Sequence, residues 1–310
     1  MSVTQELGDR CVGVEVSNAY LTAVCLDSVG NIVASQRAAV DPRVASSVQL
    51  IAFINGLAST FPAFQRVGVA VPGLIAKGGE KVAYSVHIPE HSGLDIAGLV
   101  TASTGKSAIV ENDANAAGYG EFHLGAGRGS ENMFFATLGI GVGGCTIIGG
   151  RIWRGVAGYA GEFGYFPINS EGVRLEEVAS SSNIIRRTRE RFHQDSTSSL
   201  VEIGESQLTI ADVVSAAEGD DDFAKLMLER TGHYVGKCVA SVINLLNIER
   251  VVIGGEIIGS RHIILDSVIE RARDMTFGPS FAATTIVAGE LGPNAAAAGA
   301  ALLARDAAAR

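Results

Sequence analysis

The stretch from Val110 to Glu121 reads VENDANAAGYGE. An apolar strand ends there, polar residues follow, and an Ala-rich helix begins. Asp113 therefore falls where a strand feeds a helix, at the edge of a sheet. Open α/β sheets bind ligands outside the carboxyl ends of their strands. A carboxylate at that point can take the proton of an attacking hydroxyl. Asp is also a preferred helix cap, and capping alone would account for Asp113. The flanking Asn112 and Asn115 add donors and acceptors beyond what a cap needs, which favours chemistry.

Three further segments could carry chemistry. Thr137 to Gly144 is a Gly-rich turn after a strand, holding Gly139, Gly141, Gly143 and Gly144. Bare backbone there can approach an anion closely, although a plain hairpin has the same composition. Glu162 lies between glycines in Gly158 to Tyr165, and Glu176 opens a helix in Leu175 to Ser181. A carboxylate in such a loop can bind sugar hydroxyls, and Glu176 is equally explained by the helix dipole. Val251 to Glu256 is a buried strand ending in Gly254 and Gly255. Such an end admits a flat nucleobase, and an ordinary strand-to-helix turn fits as well.

The elements that must hold these residues follow from periodicity and punctuation. Strands are predicted at 11–16, 20–26 and 32–39, with the cluster Asp27-Ser28-Val29-Gly30-Asn31 as a turn. A helix is predicted over 46–57, with Val48, Ile51, Ile54 and Leu57 on one face. A buried strand at 66–71 stops at Pro72-Gly73, and a helix from about Asp95 to Ser103 leads to the strand at 108–110. Strands at 132–138 and 145–148 follow, with Gly149-Gly150 as a tight turn. Helices at 180–192, 210–217 and 222–246, strands at 250–253 and 286–288, and a helix over 294–310 complete the chain. The polar stretch 195–206 reads as a surface loop. Alternating strands and helices make this an α/β protein.

Composition narrows the function. At 310 residues, two lobes are expected. The net charge of −9, with no cluster of Lys and Arg, argues against nucleic-acid binding. No apolar run reaches membrane-spanning length and the first residues are polar, so a cytoplasmic protein with no membrane association is expected. The four cysteines, Cys11, Cys25, Cys145 and Cys238, lack metal or redox spacing and read as buried small hydrophobes.

In order along the chain, these segments resemble the ROK family of repressors, open reading frames and sugar kinases. The resemblance runs from about Val12 to Leu303. It rests on Gly68-Val69-Ala70-Val71-Pro72-Gly73, Glu111 to Ala117, Leu138 to Gly144, Ala160 to Gly164, Leu175-Glu176 with Ala179-Ser180, and Ile253-Gly254-Gly255. It implies an actin-like, hexokinase-like ATPase fold of the ribonuclease H type, with two lobes around a central cleft. The lobes are expected at 1–114 with 294–310, and at 115–293. It further implies that Asp113 is the base for a sugar 6-hydroxyl and that Asn112, Glu162 and Glu176 are sugar ligands. Gly139, Gly141, Gly143 and Gly144 would line the phosphate path, with Gly254 and Gly255 beside the adenine. ATP with Mg, a small-molecule sugar and a homodimer are the implied partners.

The chain also departs from that pattern. The family's first phosphate motif, D-x-G-G-T, is Glu15-Val16-Ser17-Asn18-Ala19 here, so Glu15 keeps a carboxylate while both glycines and the Thr are replaced. Ile140 stands where the second phosphate motif has Thr. His87-Ile88-Pro89 replaces an N-x-P sugar-contacting turn, which makes His87 an altered sugar ligand. Tyr165 replaces the zinc-binding His and the Cys-rich run is missing, so no zinc and no other metal site is expected. Each lost charge-assisted hydrogen bond is worth roughly 1.5–3 kcal/mol, so the ATP site is expected to be weakened. An ATP:sugar phosphotransferase is the first expectation, and a sugar sensor that no longer uses ATP is the second. A DNA-binding repressor is the third and weakest, since little chain precedes the first strand.

Overall fold

The computed structural model describes residues 10–79, 81–191, 198–203, 206–259 and 261–308. These form two compact units. One comprises residues up to 129 with 145–161 and 293 onward; the other comprises 130–144 and 162–292.

The first unit opens with the antiparallel meander that the turn cluster dictates: β1 (Cys11–Val16), β2 (Tyr20–Leu26) and β3 (Ile32–Ala39). Helix α1 (Ser46–Gly56) leads to β4 (Arg66–Val71), the short β5 (Leu74–Ile75) and β6 (Val82–Tyr84), α2 (Ile96–Thr104), β7 (Ser107–Asn112) and α3 (Asp113–Leu124). The sheet order is β3-β2-β1-β4-β7, with β1, β4 and β7 parallel. Residues Val12, Val14 and Val16 send their side chains into one core with Leu50, Ile54, Val69 and Val100. Of the predicted stripe, Ile54 and Leu57 are fully buried, whereas Val48 is 56% exposed and Leu50 and Phe53 complete the buried face.

The opposite face of this sheet carries Gly13 and Gly68 side by side in register. The Ala-rich helix at the end of the chain, Ala295–Ala307, lies directly on them. A Cβ on Gly13 would stand 1.7 Å from the Ala297 carbonyl oxygen, and one on Gly68 1.9 Å from that of Ala300. Gly299 makes the same close approach to α3, where a Cβ would meet the Ala116 oxygen at 1.7 Å. This packing places α3 in the first unit, beyond the boundary expected at 114. Small residues on all three elements let backbones touch, which is the physical reason for the Ala-rich composition.

The rest of the chain supplies β8 (Met133–Leu138), β9 (Val142–Ile148) and β10 (Arg151–Ile152), then the one-turn α4 (Glu176–Ala179), α5 (Ser181–Arg191), α6 (Ile210–Glu218) and α7 (Asp222–Leu246). After β11 (Arg250–Gly254) come α8 (Arg261–Met275), α9 (Gly278–Ala282) and β12 (Thr285–Ala288); the terminal Ala-rich helix is α10. Sheet order here is β10-β9-β8-β11-β12, with β8, β11 and β12 parallel. The core of the second unit gathers Phe134, Phe163, Leu175, Val239, Ile253 and Val268. Side-chain capping starts α6 and α7: Thr209 and Asp212 form a capping box, and Asp221 accepts from the Ala224 amide.

Helix α8 was not anticipated from sequence. Its buried residues Ile264, Val268 and Ala272 recur every four positions, one helical face amid charged neighbours. The expected loop at 195–206 lies partly outside the described residues; within it, Ser199–Glu202 is a short 3₁₀ turn. No described helix is long and apolar enough to cross a membrane.

Candidate functional site

Strand β7 pairs in parallel with β4 through Val71↔Asn112, and α3 starts at the next residue. The cap of α3 is Asn112, whose Oδ1 accepts from the Asn115 amide at 3.0 Å. Its Nδ2 donates to the Gly73 carbonyl at 3.0 Å and to Asp113 Oδ1 at 3.1 Å. Asp113 is thus not the cap. It occupies the first turn, where the helix dipole favours an anion, and its Oδ1 also accepts from the Ala114 amide at 2.9 Å. Both Nδ2 hydrogens of Asn112 serve the protein, so Asn112 orients Asp113 and ties it to the turn after β4.

One register across the sheet runs Arg37, Thr22, Glu15, Ala70, Glu111, so these five side chains share a face. Burial, and next the charge of Asp113, push the Glu15 carboxyl up to about 7 against the opposing Arg37. Glu111, 6% exposed, accepts from Asn115 Nδ2 at 3.2 Å through Oε1 and from Arg154 Nε at 3.0 Å through Oε2. The pair anchors the segment after β10 to the end of β7. Neither Glu111 nor Arg154 received a role from sequence; the signal was Glu111's place in the Asp113 motif.

The turn between β1 and β2 matches the altered phosphate motif. Ser17 N donates to Tyr20 O at 2.9 Å, and Ser17 Oγ accepts from the amides of Ala19 at 3.3 Å and Tyr20 at 3.0 Å. Three backbone donors of this turn are therefore directed at the turn itself. His87 is exposed in the segment after β6, which is held by Ser85 Oγ donating to Pro72 O at 2.6 Å.

In the second unit, Gly139, Ile140 and Gly141 form the turn between β8 and β9, closed by Gly139 N donating to Gly141 O at 3.0 Å. Ile140 is 47% exposed on it. Gly143 and Gly144 belong to β9, so the Gly-rich turn is shorter than expected. Three of the candidate elements converge on Val142. Its amide donates to Glu176 Oε2 at 2.9 Å. A Cβ on Gly164 would stand 2.5 Å from the Val142 oxygen, which brings Glu162 and the following 3₁₀ turn alongside. Desolvation, and next the charge of Glu176, raise the Glu162 carboxyl above its ordinary value.

Gly254 and Gly255 are set by packing on β8. A Cβ on Gly254 would meet the Phe135 ring at 2.8 Å; Gly255 has φ +99 and lies against Leu138 backbone, 2.2 Å from its oxygen. Beyond them, Glu256 Oε1 accepts a hydrogen bond from the Ser181 hydroxyl at the start of α5.

Where the resembled family has a zinc loop, residues 166–175 close by backbone bonds. Ile168 N donates to Val173 O and Leu175 N to Phe166 O, both at 2.8 Å. The Arg174 guanidinium stacks 4.3 Å from the Tyr165 ring centroid. Among the described residues no group of three or more His, Cys, Asp or Glu is arranged to hold a metal ion. The four cysteines are free and buried.

Comparison with known proteins assigns the lineage. Residues 11–307 match the model of the ROK family, and the chain belongs to that family. A glucokinase of Halalkalibacterium halodurans is 36% identical over 200 residues, 61% of this chain and 60% of that protein. The matched part thus spans less than two thirds of that glucokinase's length. A glucokinase of Thermotoga maritima is 31% identical over 251 residues, 77% of this chain and 79% of that protein. The xylose repressor of Bacillus subtilis is 25% identical over 314 residues, 96% of this chain and 78% of the repressor. The crystal structure of a ROK family glucokinase from Streptomyces griseus, in complex with glucose and AMPPNP, superposes with a TM-score of 0.87. Identity to it is 26%, covering 96% of this chain and 99% of that one. The fold is accordingly the actin-like, hexokinase-like ATPase fold.

Proposed function

We propose that this ROK-family chain transfers the γ-phosphoryl group of Mg-ATP to the 6-hydroxyl of a hexose or N-acyl-hexosamine. The observation that carries this reading is the seating of Asp113 in the first turn of α3, oriented by Asn112. The glucokinase relatives support it. In the reaction, an Asp113 oxygen accepts the hydroxyl proton as the sugar oxygen attacks the γ-phosphorus. The bond from phosphorus to the β–γ bridging oxygen breaks, and ADP leaves. Glu162, Glu176, Asn112 and His87 bind sugar hydroxyls. Glu15, Gly139, Gly141, Gly143, Gly144, Gly254 and Gly255 attend the nucleotide, and Mg arrives as part of the Mg-ATP substrate. Phosphoryl transfer depends mainly on positioning and charge stabilisation, so few groups suffice. A cytoplasmic homodimer without DNA binding completes the reading, in keeping with the acidic net charge of −9.

An ADP-release assay across glucose, mannose, N-acetylglucosamine and N-acetylmannosamine tests it. Sugar-dependent ADP formation with at least one of them is expected. A background rate that is the same with and without every sugar contradicts it.

A second reading, a kinase-derived sugar sensor, is favoured by the turn at Ser17 to Tyr20, whose backbone donors are bonded within it. Calorimetry separates the two. Sugar binding without detectable Mg-ATP binding supports the sensor, and ordinary Mg-ATP affinity removes it.

A further inference from the structure

Glu256 follows Gly254, the last residue of β11, and Gly255, and its side chain turns toward the β8–β9 loop. Its Cγ and Oε1 stand 3.9 Å from the point that a Cβ on Gly139 would occupy. The Ser181 hydroxyl donates to Oε1, and the Ser181 amide donates to the Gly139 carbonyl at 2.8 Å. Three elements, the loop, the start of α5 and the end of β11, thus meet at one carboxylate.

Two features of this place attract anions. The loop presents glycine backbone on both sides of Ile140, and the N-terminus of α5, an 11-residue helix, carries the positive end of its dipole. The protein supplies its own anion to both. The Ser181 hydroxyl is neutral and cancels none of the carboxylate's charge. Glu256 itself is exposed, so an incoming ligand meets it directly.

We propose that Glu256 sets nucleotide affinity, by holding a negative charge where a phosphate group approaches the Gly139–Gly141 loop. This rests on the reading that the loop lines the phosphate path. The unmodified chain then binds nucleoside triphosphates weakly, and loss of the charge strengthens binding. Like charges a few ångströms apart oppose each other. The departures at Glu15 to Ala19 lie in another part of the chain.

The test is calorimetric titration of the full chain with Mg-ATP and with adenosine, comparing the unmodified protein, Glu256→Gln and Glu256→Ala. Gln removes charge and keeps shape; Ala removes both. Both variants are expected to bind Mg-ATP at least about tenfold more tightly, equivalent to about 1.4 kcal/mol, with adenosine affinity unchanged. Mg-ATP affinity equal to or weaker than that of the unmodified protein, in folded variants, overturns the proposal. Gly139→Val tests the underlying reading separately, since among the described residues only Glu256 lies within 4 Å of that Cβ position. If Gly139→Val leaves Mg-ATP binding intact, the nucleotide is not at this loop. If Gly139→Val abolishes binding while the Glu256 variants gain nothing, the loop stands and the role of Glu256 fails.

Discussion

Arg154 and Glu111 are 43 residues apart in the chain, and the Arg154 Nε donates to Glu111 Oε2 at 3.0 Å. The same carboxylate accepts from Asn115 Nδ2 through its other oxygen. A buried carboxylate two residues before Asp113 is thereby satisfied on both sides, and the start of α3 inherits a fixed position.

Arg154→Met leaves that carboxylate without its cation. Breaking a fully buried pair costs roughly 3–5 kcal/mol. Arg154 is 45% exposed, so a smaller loss of about 2 kcal/mol is expected. Urea unfolding of the variant checks it. A midpoint unchanged from the unmodified protein contradicts the anchoring role.

Glu15 predicts a pH dependence. Its carboxyl is raised from 4.5 to about 7 by burial and then by Asp113. The native state therefore holds a proton that the unfolded chain releases earlier. Stability from this group is complete below about pH 4.5 and declines as the pH rises through about 7. Glu15→Gln removes the decline, and above pH 7 the variant should exceed the unmodified protein by on the order of 2 kcal/mol. Unfolding midpoints at pH 5 and pH 8 report it, and a constant gap between the two proteins speaks against it.

Gly13 and Gly56 should respond to alanine in opposite directions. A Cβ at Gly13 would overlap the Ala297 oxygen at 1.7 Å, whereas at Gly56 no atom of the described residues lies within 4 Å of that position. Gly13→Ala is expected to cost more than about 3 kcal/mol or to prevent folding. Gly56→Ala, in the last turn of α1, should stabilise by about 0.5–1 kcal/mol. Thermal unfolding of the two variants side by side measures both signs.

The contrast between what was legible and what was not has a physical origin. The meander β1–β3, the long α7 and β11 were readable because each has a local period bounded by turn residues. So was Asp113, which sits at a strand-to-helix junction written in contiguous sequence. Helix α8 was missed although Ile264, Val268 and Ala272 carry its period. The stripe predicted on α1 holds at Ile54 and Leu57 and fails at Val48, because Phe53 and Leu50 face the core instead. The contacts that fix the site were not readable at all. Arg154 with Glu111, and Ser181 with Glu256 across 75 residues, are long-range polar pairs that leave no local pattern. The packing of Gly254 on Phe135 and of Gly255 on Leu138, more than a hundred residues away, likewise leaves no local pattern.

The role proposed for Asp113, base of a sugar phosphotransferase, rests on a proton that only a carboxylate can take. The most direct measurement is the sugar-dependent rate of ADP formation by the unmodified protein and by Asp113→Asn, with sugar affinity measured on both by calorimetry. Asn keeps the size of the side chain and its bond from the Ala114 amide, but it cannot take the proton. A rate lower by roughly 10²–10⁴-fold with sugar affinity retained is the expected result. Equal rates in the two proteins would contradict the account.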